Sequence, residues 1–92
     1  MITSFADKDT KGLWETVQSR RFKNVEHVAL RKLDMLNAAV NLNALRVPPS
    51  NHLEALKGDR AGQYSIRINA QWRLCFTWSS DGAHNVEICD YR

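Results

Sequence analysis

Lys57, Arg67, Arg73, Asp90 and Tyr91 have the types and spacing to act on a phosphodiester. Two alternating runs carry the arginines. Tyr64, Ile66 and Ile68 alternate with Ser65, Arg67 and Asn69; Trp72, Leu74, Phe76 and Trp78 alternate with Arg73, Cys75 and Thr77. A period of two sends apolar side chains to one face of a sheet and their neighbours to the other. With Asn69-Ala70-Gln71 as the connection, Ile68 faces Trp72 and Arg67 falls directly across from Arg73. Like charges so placed repel unless neutralised, and Glu54, Glu87 or a phosphate would each serve. Lys57 leads a glycine turn that can approach the sheet edge. Tyr91 has the parity of Glu87 and Cys89, the side of Arg73. Cations for a backbone and a ring for stacking make a platform for single-stranded RNA. The same set could cut RNA by attack of its own 2′-hydroxyl, Asp90 and Tyr91 moving protons and Arg73 and Lys57 stabilising charge. From residue types alone, ion pairing, binding and cleavage all stay open.

These residues need elements to hold them. Met1 to Phe5 alternates and reads as a strand. Asp7 and Asp9 favour a helix start, and a short helix runs to about Val17 with Leu13, Trp14 and Val17 inward. After the polar connection Ser19 to Lys23, a longer helix starts with Asn24 as its cap. Its stripe is Val25, Val28, Ala29, Leu33, Leu36 and Val40, with one further turn over Leu42 to Leu45. Pro48-Pro49-Ser50-Asn51 breaks it. Beyond lie the short apolar run Leu53 to Leu56, a turn at Lys57 to Arg60, and the two alternating runs. A hairpin signal, Ser80-Asp81-Gly82, then leads into Val86 and Ile88, which alternate with Glu87 and Cys89. Short links between strands mean antiparallel pairing. The expected fold is α+β in β-α-α-β-β-β order, an antiparallel sheet with helices packed on one face.

The chain has 92 residues, room for a single domain over 1–92. Hydrophobic content of 43% and charged content of 25% fit a globular chain and exclude a disordered one. No apolar run approaches the ~20 residues of a membrane span, and no secretory signal opens the sequence. Two cysteines without a C-x-x-C spacing read as free thiols in a reducing compartment, so a cytoplasmic location is expected. Net charge is +3 with a pI near 9.1, weak evidence for nucleic acid unless the cations converge.

Other residues read more plainly. His27 is a helix-surface residue, His84 is solvated beside a turn, and His52 enters the first strand after the break. Arg20, Arg21, Lys23, Arg31 and Lys32 form a basic, solvated surface at the helix junction that could touch RNA phosphates. No Walker loop, dinucleotide fingerprint or zinc pattern is present, so no cofactor or metal is expected.

The stretch Leu56-Lys57-Gly58-Asp59-Arg60, then Gly62, Ser65-Ile66-Arg67 and Trp72-Arg73-Leu74 with Phe76, closely resembles the HigB branch of the RelE/ParE toxin superfamily. The opening Met1-Ile2-Thr3-Ser4-Phe5 and the ending Asp90-Tyr91 fit as well, so the similarity runs end to end. The resemblance implies a toxin of a type II toxin–antitoxin pair that enters the ribosomal A site and cleaves messenger RNA. It implies a helix-turn-helix, HigA-type antitoxin partner, and operator DNA contacted only through that antitoxin. Lys57 and Arg73 match positions that hold the scissile phosphate; Asp90 and Tyr91 match those that transfer protons and position a base. Arg67, Arg60, Arg20, Arg21 and Lys23 are the expected RNA-backbone contacts.

Two departures stand out. Relatives commonly end Asp-Tyr-His where this chain has Arg92, which can stabilise phosphate charge but does not shuttle protons near neutrality. Some relatives carry a histidine where this chain has Glu54, and His52 lies about 7 Å away along the chain. A toxin impaired in cleavage, which still binds antitoxin and ribosome, and a ParE-like gyrase poison are therefore alternatives.

Overall fold

The computed structural model describes residues 1–90. Helix α1 spans Lys8–Thr16, and Asp7 caps it by accepting from the Thr10 N–H at 3.2 Å. It ends where Val17 turns left-handed (φ 64°) and returns its N–H to Leu13. A β-branched residue is strained in that conformation, and Val17 is turned outward, 59% exposed, rather than into the core.

A single 3-10 turn at Lys23–Val25 leads into α2, Glu26–Ala38. Asn24 lies inside that turn and is not the cap; Val25 occupies the cap position without a side-chain bond. Val25, Ala29, Leu33 and Leu36 are buried, whereas Val40 lies past the helix end and is almost fully exposed. Lys32 is buried too, contrary to the expectation of a solvated basic face. It stands three residues after Ala29 and four before Leu36, on the inward stripe. Two short 3-10 segments, Leu42–Arg46 and Pro49–Asn51, complete the connection.

The strands are β1 (Glu54–Ala55), β2 (Tyr64–Arg67), β3 (Trp72–Ser79) and β4 (Gly82–Asp90), antiparallel in the order β1-β2-β3-β4. Leu13, Ala29, Leu33 and Leu36 from the helices form one core with Ile66, Leu74, Phe76, Val86 and Ile88. The α+β fold with helices on one face is therefore as the residue pattern requires.

The opening segment differs from a regular strand. It runs parallel to β4 and meets it in two isolated bridges, Ile2 with Ala83 and Phe5 with Val86. Between them Asn85 takes a left-handed backbone (φ 52°), and the β3–β4 register shifts by one. Asparagine tolerates that conformation. The bulge turns both Ala83 and Val86 into the core, which strict alternation forbids, and it interrupts the parallel ladder. With β1 at the opposite edge, four strands follow the helices. Among the described residues no helix is long and apolar enough to cross a membrane.

Candidate functional site

The face of the sheet away from the helices is set by register. Arg67 pairs with Arg73, Ser65 with Cys75 and with Glu54, Cys75 with Glu87, and Arg73 with Cys89. The β2–β3 connection makes this pairing possible: Asn69 Oδ1 accepts from the N–H groups of Gln71 and Trp72, each at 2.8 Å.

Arg73 is the centre of the face. Its Nε donates to Ser65 Oγ at 2.8 Å, and Nη2 donates to the His52 carbonyl at 2.6 Å. Nη2 also lies 3.4 Å from Glu54 Oε1. The guanidinium side chain is only 7% exposed, against 44% for the Glu54 carboxylate. A buried cation must be compensated this way, because a guanidinium left unpaired out of water costs several kcal/mol. The planar fork is thus fixed by a hydroxyl and a carbonyl, with the more exposed carboxylate beside it.

Arg67 stands opposite, half-buried, and no hydrogen bond or ion pair among the described residues holds it. Of the two proposed neutralisers, Glu54 serves Arg73, while Glu87 Oε1 pairs with Arg60 Nη1 at 2.8 Å. That hydrogen bond raises the Arg60 guanidinium above its ordinary value. Cys75 and Cys89 are free thiols on this face. Cys75 is held below its usual value by a hydrogen bond with Cys89 and by the nearby Arg60 and Arg73 charges; Cys89 is pushed up by the same bond and by burial.

The remaining expected residues do not all converge here. Lys57 is exposed and precedes the 3-10 turn Gly58–Arg60. It follows the Leu56–Gln63 backbone pairing, so its backbone stands at the opposite end of β2 from Arg67. Asp90 pairs with Trp72, so it has the parity of the helix-facing residues, and it accepts from Gln71 Nε2 at 3.2 Å on the rim. Tyr91 and Arg92 lie outside the described residues. Arg20, Arg21 and Lys23 belong to the helix layer. Arg21 pairs with Asp9 at 3.3 Å and stacks over Phe22 and Trp72, with centroid distances of 5.1 and 6.0 Å.

His52 joins the site through its backbone carbonyl, while its imidazole is not what holds Arg73. Ser65 was missed as a site residue although its parity matches Arg67. His84 is more than solvated: its ring bridges Asp81 Oδ1 and Thr3 Oγ1, each at 2.7 Å. Among the described residues, no three His, Cys, Asp or Glu side chains are grouped to hold a metal ion.

Residues 3–92 match the model of the HigB-like toxin family, described as RelE-like toxins of the type II toxin–antitoxin system HigB. The chain is 38% identical over 90 residues to Toxin HigB-1 of Vibrio cholerae serotype O1, covering 96% of this chain and 95% of that one. It is 31% identical over 93 residues to Endoribonuclease HigB of Proteus vulgaris, covering 99% of each. In fold it is similar to the YoeB-YefM complex from Staphylococcus aureus, with a TM-score of 0.62 at 20% identity, covering 100% of this chain and 98% of that one. The family match over nearly the whole length, with the helix-backed antiparallel sheet beneath it, means that this chain belongs to the HigB-like toxins, RelE-like toxins of type II toxin–antitoxin systems.

Proposed function

We propose that this chain is a ribosome-dependent endoribonuclease that cleaves messenger RNA in the ribosomal A site and so arrests translation. The observation that carries the reading is Arg73, a guanidinium fixed by Ser65 and the His52 carbonyl directly across from Arg67. Two cations 

on facing strands fit one phosphodiester, and the preset fork stabilises the charge that develops on phosphorus. The name of the Proteus vulgaris relative, an endoribonuclease, supports the same chemistry.

The reaction is transesterification without a metal. The RNA 2′-oxygen attacks the adjacent phosphorus, the 5′-oxygen leaves, and a 2′,3′-cyclic phosphate remains. Arg73 and Arg67 bind the phosphate; Asp90 and Tyr91 serve proton transfer at the leaving side, and Arg92 adds charge. Lys57, Arg60, Arg20, Arg21 and Lys23 contact the RNA backbone around the cut. A helix-turn-helix antitoxin of the HigA type neutralises the toxin in the cytoplasm; the existence of a YoeB-YefM toxin-antitoxin complex from Staphylococcus aureus with this fold supports an antitoxin partner.

Primer extension on a reporter messenger RNA, with and without ribosomes, tests the reading. Cuts are expected only with ribosomes, and they persist in EDTA under conditions that keep ribosomes intact. Intact messenger with ribosomes present rejects it and favours a non-cleaving binder or a gyrase poison, the latter marked by SOS induction in cells.

A further inference from the structure

We propose that Asn51 is a positioning residue of the cleavage reaction: anchored by Lys32, it aims the His52 carbonyl at Arg73 and so presets the guanidinium for the phosphate. This rests on the endoribonuclease reading and assigns a role within it.

The first observation is a polar pair buried beneath the site. Asn51 is fully buried; its Oδ1 accepts from Lys32 Nζ, and its Nδ2 donates to the Leu45 and Val47 carbonyls. Its backbone N–H donates to the Pro48 carbonyl at 2.9 Å. Apolar side chains of similar volume often hold two elements together as well as such a pair does. What an apolar pair lacks is direction, since only the hydrogen bonds fix where the backbone points.

The second observation lies one residue on. His52 has a left-handed backbone, φ 46° and ψ 54°. A residue other than glycine stays in that conformation only where its surroundings over-determine it. Here Asn51 is anchored on one side, the His52 N–H is taken by the Pro49 carbonyl at 3.1 Å, and the His52 carbonyl receives Arg73 Nη2 at 2.6 Å.

The path therefore runs from Lys32 in α2 through Asn51 and the His52 backbone to Arg73. Ser65 fixes Nε, and the carbonyl fixes one amino group of the fork. A single bond leaves the guanidinium plane free to swing, whereas two set it. Loss of the aim would spare the charge that binds phosphate but misplace the donors that meet the transition state, so the maximal rate should suffer and binding should not.

Two variants test this. Asn51→Asp keeps an acceptor for Lys32 but loses the Nδ2 donor; Lys32→Met/Asn51→Leu replaces the whole network by apolar packing. Each is melted, its Arg73 Nε–H signal is followed by NMR without RNA, and single-turnover cleavage is measured on programmed ribosomes, alone and with Arg73→Lys. The Nε–H should shift and exchange with water about tenfold faster or more, while the Ile66 and Leu74 amides stay as they were. The maximal rate should fall about 10–10²-fold, with half-saturating ribosome concentration changed by less than about threefold. With Arg73→Lys already present there is no fork to aim, so the further loss should be under about threefold. An unmoved Nε–H signal, or equal rate losses in both backgrounds, overturns the assignment. So does failure of both variants to fold, since the amide would then serve the fold alone. Absence of cleavage by the unsubstituted chain is a different failure: it overturns the endoribonuclease reading beneath, while the Nε–H signal still reports whether Asn51 aims Arg73.

Discussion

Lys32 donates its ammonium to the side-chain oxygen of Asn51 at 2.5 Å, and both side chains are buried. Asn51 in turn donates to the Leu45 carbonyl at 3.1 Å and the Val47 carbonyl at 3.4 Å. The amide thus ties α2 to the irregular connection, one residue before the carbonyl that receives Arg73. Removing it with Asn51→Ala strands a buried cation and two backbone carbonyls. The expected loss is about 3–5 kcal/mol, a fall in Tm of at least about 12 °C for a domain of this size. Adding Lys32→Met to Asn51→Ala should recover part of that loss, because the stranded charge is gone; thermal melts of the four-member cycle measure it.

Burial lowers the Lys32 ammonium from its ordinary 10.5, and the neighbouring Arg31 charge lowers it further. The folded state therefore gives up this proton before the unfolded chain does. Between the lowered value and 10.5 the unfolded chain binds more protons, so this residue's contribution to stability improves as pH rises. Below that window its penalty is fully in force. Denaturation of the unsubstituted protein and Lys32→Met at neutral and alkaline pH should show their difference narrowing, in favour of lysine, as pH climbs. A constant difference contradicts it.

Arg73 joins structure to chemistry, and two substitutions separate them. Arg73→Lys keeps the charge but loses the fork that reaches Ser65 and His52 together. Cleavage should fall about 10²–10³-fold, the usual loss for one preset donor at a developing oxyanion. Ser65→Ala leaves the charge and removes only the 2.8 Å bond at Nε, so its loss should be smaller. Rates from primer extension beside thermal melts distinguish the two; equal losses would mean that charge position matters less than proposed.

The Arg67–Arg73 pairing was legible because a period of two and a three-residue connection leave only one register. Glu54 and Glu87 were legible as neutralisers for the same reason, though not which arginine each would serve. Lys32 carried a signal that was overlooked, its place between Ala29 and Leu36 on the inward stripe. The His52 carbonyl had none: the path of Pro49–Asn51 depends on Asn51 reaching back to Lys32, a contact between residues 19 apart in sequence. Asn85 shifts the parity of everything before it in β4, so alternation read backwards from Ile88 assigns Ala83 to the wrong face. Asp90 was grouped with Arg73 by residue type as well as by the family motif, whereas parity read from Ile88 puts it on the other side.

Asp81 offers a pH test at the far end of the molecule. Its carboxylate is depressed to about 2 by hydrogen bonds from Ser79 and then His84. A depressed carboxylate stabilises the fold above its unfolded value, near 3.8, and that contribution disappears as pH falls through about 2. The difference in Tm between the unsubstituted protein and Asp81→Asn should therefore shrink between about pH 4 and pH 2. An unchanged difference would mean that the carboxylate's charge does not hold the hairpin.

Gly82 closes the same hairpin against the opening segment. Its φ is +127°, and a Cβ there would lie 2.1 Å from the Met1 carbonyl oxygen. That oxygen accepts the Ala83 N–H at 2.8 Å, so it is fixed where the methyl would go. Gly82→Ala therefore combines backbone strain with a clash that only displacement of Met1 relieves. Displacement breaks the Ala83–Met1 bond first and then loosens Thr3 N–H to Ala83 and Ala6 N–H to Val86, bonds of 2.8 and 2.9 Å. The expected cost is about 2 kcal/mol or more, with faster amide exchange at Thr3 and Ala6 and little change at Ile66 or Leu74. Exchange that accelerates equally across β2 and β3 would instead mean that the opening segment and the sheet unfold as one unit.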